Sequence, residues 1–362
     1  MDLTRRGVLR LGLGATGAAG LMACSERVVF APEASGWRRF ETRATLEIAR
    51  SGEGVQAWMP IPSFDAGAWM RAGASRVGGN ADEARIETDA ASGARFVHAV
   101  WGPGDAPALL EVTSEAEAQD RTMATGGDAL NAEDRARYTA PTALIPTDGL
   151  VAETAAAIVG DETDDLAKAR LIYDWVVENT ARNPETRGCG LGDIGSMLRI
   201  GDLTGKCADL NALYVGLARA AGLPARDLYG LRVAPSRFGY RSLGAGKPDV
   251  TRAQHCRAEV FVNALGWIAV DPADVRKVML EEREDELALR APEVRAARRG
   301  LFGSWEGNWI AYNDAHDVAL PGSDGPALPF LMYPQAEVGG VRRDPLSPDS
   351  FAYAIEAHEL TA

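Results

Sequence analysis

Two hydrophobic periodicities divide the chain. From about residue 36 to residue 115, apolar and polar positions alternate in short runs broken by Gly, Pro and Asp. RRFETRATLEIA, GVQAWMPIP, ARIET, ARFVHAVWG and ALLEVTSEA therefore read as strands of an antiparallel sheet or sandwich. The prolines of MPIP end their strand or place it at an edge. A polar, small-residue stretch over 119–148 follows, a linker or a segment wrapping between domains. The spacing then changes to three and four. Residues 151–158 and 165–179 predict helices, the second through Leu166, Ala169, Tyr173, Val176 and Val177.

The clearest helix lies within residues 205–226. Leu210, Leu213, Tyr214, Leu217, Ala218 and Ala221 mark one buried face. Gly222 can close the helix in the left-handed region, and Pro224 prevents it from resuming. Residues 225–233 then read as a strand, residues 234–249 as a loop long enough to bind something, and QHCRAEVFV with WIAVDP as a hairpin. The charge-dense stretch 275–299 predicts a solvated helix. The aromatic-rich remainder is expected to add strands to the preceding domain. The fold class is thus α+β: a β-rich N-terminal domain over 30–120, a linker over 121–150, a mixed domain over 151–275 and an extension over 276–362.

Composition narrows the function. A formal net charge of −13, without a long basic run, argues against phosphate-tracking contact with nucleic acid and against adhesion to acidic lipid. Residues 1–24 read as an export leader, with Arg5, Arg6 and Arg10 ahead of an apolar stretch too short for a confident span. TRRGVLR resembles a twin-arginine signal, and LMAC resembles a bacterial lipobox that makes Cys24 the candidate lipidation site. A plain cleaved signal is the alternative. The expected location is the periplasm, soluble or anchored at the membrane through Cys24 alone.

The candidate chemistry centres on Cys207. It falls in the first turn of its helix, where unpaired N–H groups and the helix dipole favour a thiolate. An ordinary buried cysteine is the bland alternative, against which stand the glycine turn and the long cation of Gly205-Lys206. A thiol nucleophile needs a base and something to orient that base. Of the four histidines, His98 lies in the N-terminal strands and reads as structural, His358 lies in the tail, and His316 sits in a polar turn or strand start. His255 opens the hairpin, and the next strand ends at Asp271-Pro272, so the turn can bring carboxylate and imidazole together. A zinc site of Cys207, His255 and Cys256 is disfavoured, because neighbours on a strand face opposite sides and no CxxC pair exists. Export into an oxidising compartment leaves three states for the other cysteines: a Cys189–Cys256 bridge, a Cys189–Cys207 latch, or free buried thiols.

Gly205-Lys206-Cys207 with Asp209, then AAGLPAR, a downstream His on a strand with Glu-Val, and GWIAVDP resemble the transglutaminase-like superfamily of papain-related folds. The resemblance spans residues 166–272, more weakly the flanking segments. It implies Cys207 as nucleophile, His255 as base then acid, and Asp271 as the group orienting the imidazole, with no cofactor or metal. The chain departs from the family in having Cys256-Arg257 where Ala-Trp is common, which is expected to change the pocket wall beside His255. The implied reaction is acyl transfer at an amide of a peptide, protein or cell-wall substrate. Hydrolysis is favoured over transamidation because water is always present; a non-catalytic, lipid-anchored binding protein keeping the fold is the third reading. Tyr173 and Trp175 are weak candidates for completing an oxyanion hole.

Overall fold

The computed structural model describes residues 29–361. The twin-arginine-like leader and Cys24 lie outside the described residues. The N-terminal alternation folds as strands β1 (Arg38–Ile48), β2 (Val55–Pro60), β3 (Met70–Gly79), β4 (Glu83–Thr88), β5 (Arg95–Trp101) and β6 (Ala108–Ala118). Helices α1 (Ala132–Thr139), α2 (Gly149–Val159) and α3 (Asp165–Asn179) follow. Then come the two-residue strand β7 (Ala181–Arg182), α4 (Ile194–Ile200), strand β8 (Thr204–Gly205) and helix α5 (Cys207–Ala220). Strands β9 (Ala225–Arg232), β10 (Gln254–Val262) and β11 (Gly266–Val270) lead into α6 (Pro272–Glu281) and α7 (Pro292–Gly300). The chain closes with β12 (Trp309–Asn313), β13 (His316–Val318), β14 (Leu328–Phe330), β15 (Gln335–Val338), β16 (Val341–Arg342) and β17 (Ala352–Leu360).

Three larger sheets pack together, in the orders β17-β1-β6-β3, β16-β15-β2-β5-β4 and β11-β10-β9-β12. The first two form a sandwich whose inner faces share Leu46, Ile48, Met59, Val97, Trp101 and Leu110. Further along the same face, the first sheet packs on the third through Phe40, Met70, Leu228, Leu231, Trp305 and Trp309. Helices α2, α3, α5, α6 and α7 cover the far side of the third sheet around Ile172, Leu213, Leu217, Val260 and Val278. Helix α5 is therefore buried all round, from Cys207 to Arg219, rather than on one face. Its close uses Gly222, at φ +84°, as the spacing predicts.

Two expectations are corrected. The C-terminal extension does not add its strands to the mixed domain alone: β12 joins β9 there, but β15 pairs with β2 and β17 pairs with β1 along nine positions. The physical reason is edge protection. The open edges of β1 and β2 need backbone partners, and the chain's end supplies them. The charged stretch is also two helices, not one. Helix α6 ends at Glu281, and Pro292 starts α7, with Val294, Ala296 and Ala297 buried.

Candidate functional site

Asp209 organises the entry to α5. Its Oδ1 accepts the N–H groups of Leu191 and Gly192, and its Oδ2 that of Lys206, each at 3.0 Å. One carboxylate thus caps the helix and holds the loop over 187–195 against its first turn. Gly190 makes this approach feasible: at φ +95°, a Cβ there would sit 1.8 Å from Asp209 Oδ2. The parallel pairing of β7 with β8 fixes the other side, at Gly205. The Ala208 N–H bonds to the Cys189 carbonyl at 2.9 Å, and the Tyr333 hydroxyl accepts the Cys189 N–H at 2.8 Å.

This arrangement gathers three thiols. Cys189, Cys207 and Cys256 are buried and free, with their sulfurs within 4.8 Å of one another. The neighbouring Cys189 and Cys256 thiols hold the Cys207 thiol well below its usual pKa; burial opposes them, and His255 assists. Cys207 in turn raises the pKa of Cys189, and burial first, then the two neighbouring thiols, raise that of Cys256. Cys207 is the most readily ionised of the three.

His255 Nε2 lies 2.8 Å from Asp271 Oδ2 and 3.4 Å from Asp274 Oδ1. Burial and the Arg232 charge work against protonating this imidazole, but Asp274 and Asp271 outweigh them and lift its pKa to about 9. The two shifts together favour the thiolate–imidazolium form of the pair. Asp271 caps α6, its Oδ1 accepting the Asp274 N–H at 3.0 Å and the Asn211 amide at 3.3 Å. Asn211 also donates to the Cys256 carbonyl at 2.8 Å, tying α5 to β10. Arg232 holds Asp274 through two bonds of 2.5 and 2.7 Å, and the Trp309 indole donates to the His255 carbonyl at 3.0 Å.

Strand β10 alternates as expected, yet both of its faces are buried. Cys256 points to the thiol cluster, while Arg257 lies between Trp305 and Trp309 with its Nε 3.6 Å from Asp271 Oδ2. Neither lines the open cavity, so the Cys256-Arg257 pair acts beneath the site rather than on its wall. Glu259 sits between Arg121 and Arg226, which is how a charge is tolerated in a covered strand. His255 and Cys256 fall into separate groups of ligand-type side chains, the three thiols in one and His255, Asp271 and Asp274 in the other. The chain's own hydrogen bonds already engage the second group.

The remaining candidates lie elsewhere. His98 stacks on Trp58 and bonds Glu87, His316 neighbours Asp227, and His358 is exposed on β17. Tyr173 is buried with its hydroxyl on the Arg298 carbonyl, and Trp175 packs against the helical core, so neither faces Cys207. Residues that sequence reasoning missed are Asp274, Arg232, Asn211 and Tyr333. Only Asp274 leaves a local trace, three positions after Asp271 in DPAD.

Cys207 and His255 open onto a cavity of about 640 Å³. The 187–195 loop borders it through Arg187, Gly188 and Cys189, the 234–249 loop expected to bind something borders it through Gly244, and the C-terminal segment adds Tyr333, Leu346 and Tyr353.

Comparison with known proteins places this geometry. The model of the transglutaminase-like superfamily matches residues 152–272, from α2 to the first residue of α6. The chain belongs to the transglutaminase-like superfamily. It is also 35% identical, over 334 residues, to an uncharacterized protein of Haemophilus influenzae, covering 87% of this chain and 89% of that one. The crystal structure of a "Putative Cysteine Protease" from Cytophaga hutchinsonii superposes with a TM-score of 0.51 at 14% identity, covering 90% of this chain and 99% of that one. That likeness is one of fold, and it takes in the flanking β layers as well as the transglutaminase-like core. The periplasmic domain of TgpA from Pseudomonas aeruginosa gives a TM-score of 0.36 at 14% identity, over 68% of this chain and 91% of that one. Transglutaminase-like folds generally belong to cysteine-based enzymes. Among the described residues, no helix is long and apolar enough to cross a membrane.

Proposed function

We propose that this transglutaminase-like chain is a cysteine-dependent acyl-transfer enzyme of the cell envelope that hydrolyses amide bonds. Cys207 is the nucleophile, His255 the proton carrier and Asp271 the group that orients it. One observation carries the reading: a thiol of depressed pKa and an imidazolium held 2.8 Å from a buried carboxylate stand together at an open cavity. The Cys207 thiolate attacks the amide carbonyl, forming the C–S bond. As the first residue of α5, Cys207 has a backbone N–H that lies ahead of the helical ladder and can meet the developing oxyanion. His255 gives its proton to the departing amine as the C–N bond breaks. The now neutral imidazole then takes a proton from water, whose oxygen releases the acyl group and regenerates the thiolate.

The test is capture of the thioester. Incubation with peptide amides, followed by acid quench and mass spectrometry of the Cys207 peptide, is expected to show an acyl adduct that Cys207→Ala lacks. Added amine distinguishes hydrolysis from transamidation by the product formed. Unimpaired turnover by Cys207→Ala would sink the reading, and a wild type that shows neither adduct nor turnover would leave the non-catalytic alternative. The envelope setting belongs to the same proposal and rests on the leader and the Cys24 motif. Labelling of the wild type with palmitate, absent in Cys24→Ala, tests it.

A further inference from the structure

The charge of the cavity is opposite to that of the chain. The protein carries 51 acidic against 38 basic residues, yet the cavity at Cys207 is lined by Arg182, Arg187, Lys206, Arg232, Arg252 and Lys277 and by no Asp or Glu. These cations arrive from separate elements: β7, the loop before α4, the residue ahead of α5, the end of β9, the approach to β10, and α6. Three carboxylates outside the lining pair with four of them. Glu281 serves both Arg182 and Lys277, Asp344 serves Arg187 at 2.8 Å, and Asp274 serves Arg232 while also facing His255. Two are left over. Among the described residues Arg252 makes no ion pair, and the Lys206 ammonium donates only to the Thr186 carbonyl, at 2.7 Å. Lys206 precedes the nucleophile directly, and Arg252 stands three residues before His255. The C-terminal segment adds an apolar wall of Leu346, Pro348, Phe351 and Tyr353.

We infer that the acyl donor is a short acidic peptide segment, whose carboxylates meet Arg252 and Lys206 while its apolar portion lies on the Leu346–Tyr353 wall. The inference rests on the acyl-transfer reading for the reaction, but the charge argument is independent of it. A concave, low-dielectric site lined by one sign of charge concentrates ligands of the other sign, all the more where the outer surface repels them. A neutral peptide gains nothing from the two unpaired cations. An acidic one replaces their hydration with charge-assisted bonds. The volume is that of a site for a few residues rather than a folded protein surface.

The experiment uses the full chain and a peptide library in isosteric pairs, Glu against Gln and Asp against Asn. Cleavage is read by mass spectrometry, and binding to Cys207→Ala by fluorescence anisotropy. The expected result is a kcat/KM at least about tenfold higher for the acidic member, the size of one charged hydrogen bond. That ratio should shrink as salt rises and collapse toward one in Arg252→Gln. Equal cleavage of both members overturns the inference and leaves the acyl-transfer reading standing. Preferential binding of acidic peptides to Cys207→Ala, with no cleavage by the wild type, does the reverse. Inorganic phosphate competing against both members alike, with no preference between them, marks a generic anion site and overturns the peptide assignment.

Discussion

Replacing Asp271 with asparagine removes one charge and leaves the local backbone its partner. Asparagine is as good a helix N-cap as aspartate, so the bond from the Asp274 N–H can persist and α6 keeps its start. What changes is the imidazole. In the wild type its pKa stands at about 9 against an ordinary 6.5, a preference for the charged form of about 3 kcal/mol by the usual conversion. Asp274 also favours that form, but two bonds from Arg232 offset its charge, whereas Asp271 meets cations only at His255 and, at 3.6 Å, Arg257. Removing Asp271 should therefore cost half or more of the preference, lowering the His255 pKa by roughly one to two units. His255 then starts to lose its proton near neutral pH rather than near pH 9, and the Cys207 pKa rises.

Alkylation by iodoacetamide reads this without any substrate. The rate of Cys207 modification against pH, with Cys207→Ala as the blank, should show its acid limb displaced upward by about one unit in Asp271→Asn. Turnover, once a substrate is in hand, should fall by roughly 10²–10⁴-fold, because the amide also favours the wrong tautomer. Superimposable alkylation profiles, in a variant whose melting temperature is intact, would refute the assignment of Asp271 as the controlling charge.

Other outcomes follow from the same geometry. Cys189→Ala removes a thiol from beside the Cys207 sulfur, so the midpoint of alkylation should rise by about one unit; a merely structural Cys189 would lower the melting temperature and leave that midpoint unmoved. Gly190→Ala forces a methyl group into the Asp209 carboxylate at an unfavourable φ, which should cost roughly 2 kcal/mol or more. Calorimetry should record that loss, and the alkylation rate of Cys207 should drop as its loop shifts. His255 is more basic folded than unfolded, so its contribution to stability is complete below about pH 6.5 and is lost as pH rises through about 9. Melting curves of the wild type should approach those of His255→Gln across that window, and a constant gap between them would count against the raised pKa.

How far the site was legible depended on sequence distance. The helix carrying Cys207 announced itself because a 3.6-residue repeat, a glycine stop and a proline all lie within residues 205–226. The hairpin from His255 to Asp271 was equally local, its register set by a short turn that pairs Val262 with Gly266. The apolar alternation of the N-terminal strands likewise revealed their kind. Reading the later strands was harder. In β17, the run AYAIEAHEL carries three alanines and two glutamates, residues that favour helix over strand, and only its pairing with β1 makes it a strand. The break between α6 and α7 escaped notice because a dense run of charges masked the buried Val294 face.

What the sequence offered alone was the candidate reacting groups of the proposed mechanism, in the order Cys207, His255 and Asp271, because periodicity and capping act over a few residues. What only the tertiary structure decided was how those groups are tuned and what surrounds them. Asp209 draws the 187–195 loop to α5 and so delivers Cys189 to Cys207, Arg232 restrains a second carboxylate at His255, and the end of the chain returns to wall the cavity. Desolvation, charge pairing and cavity shape are sums over residues far apart in the chain, and no local pattern encodes them.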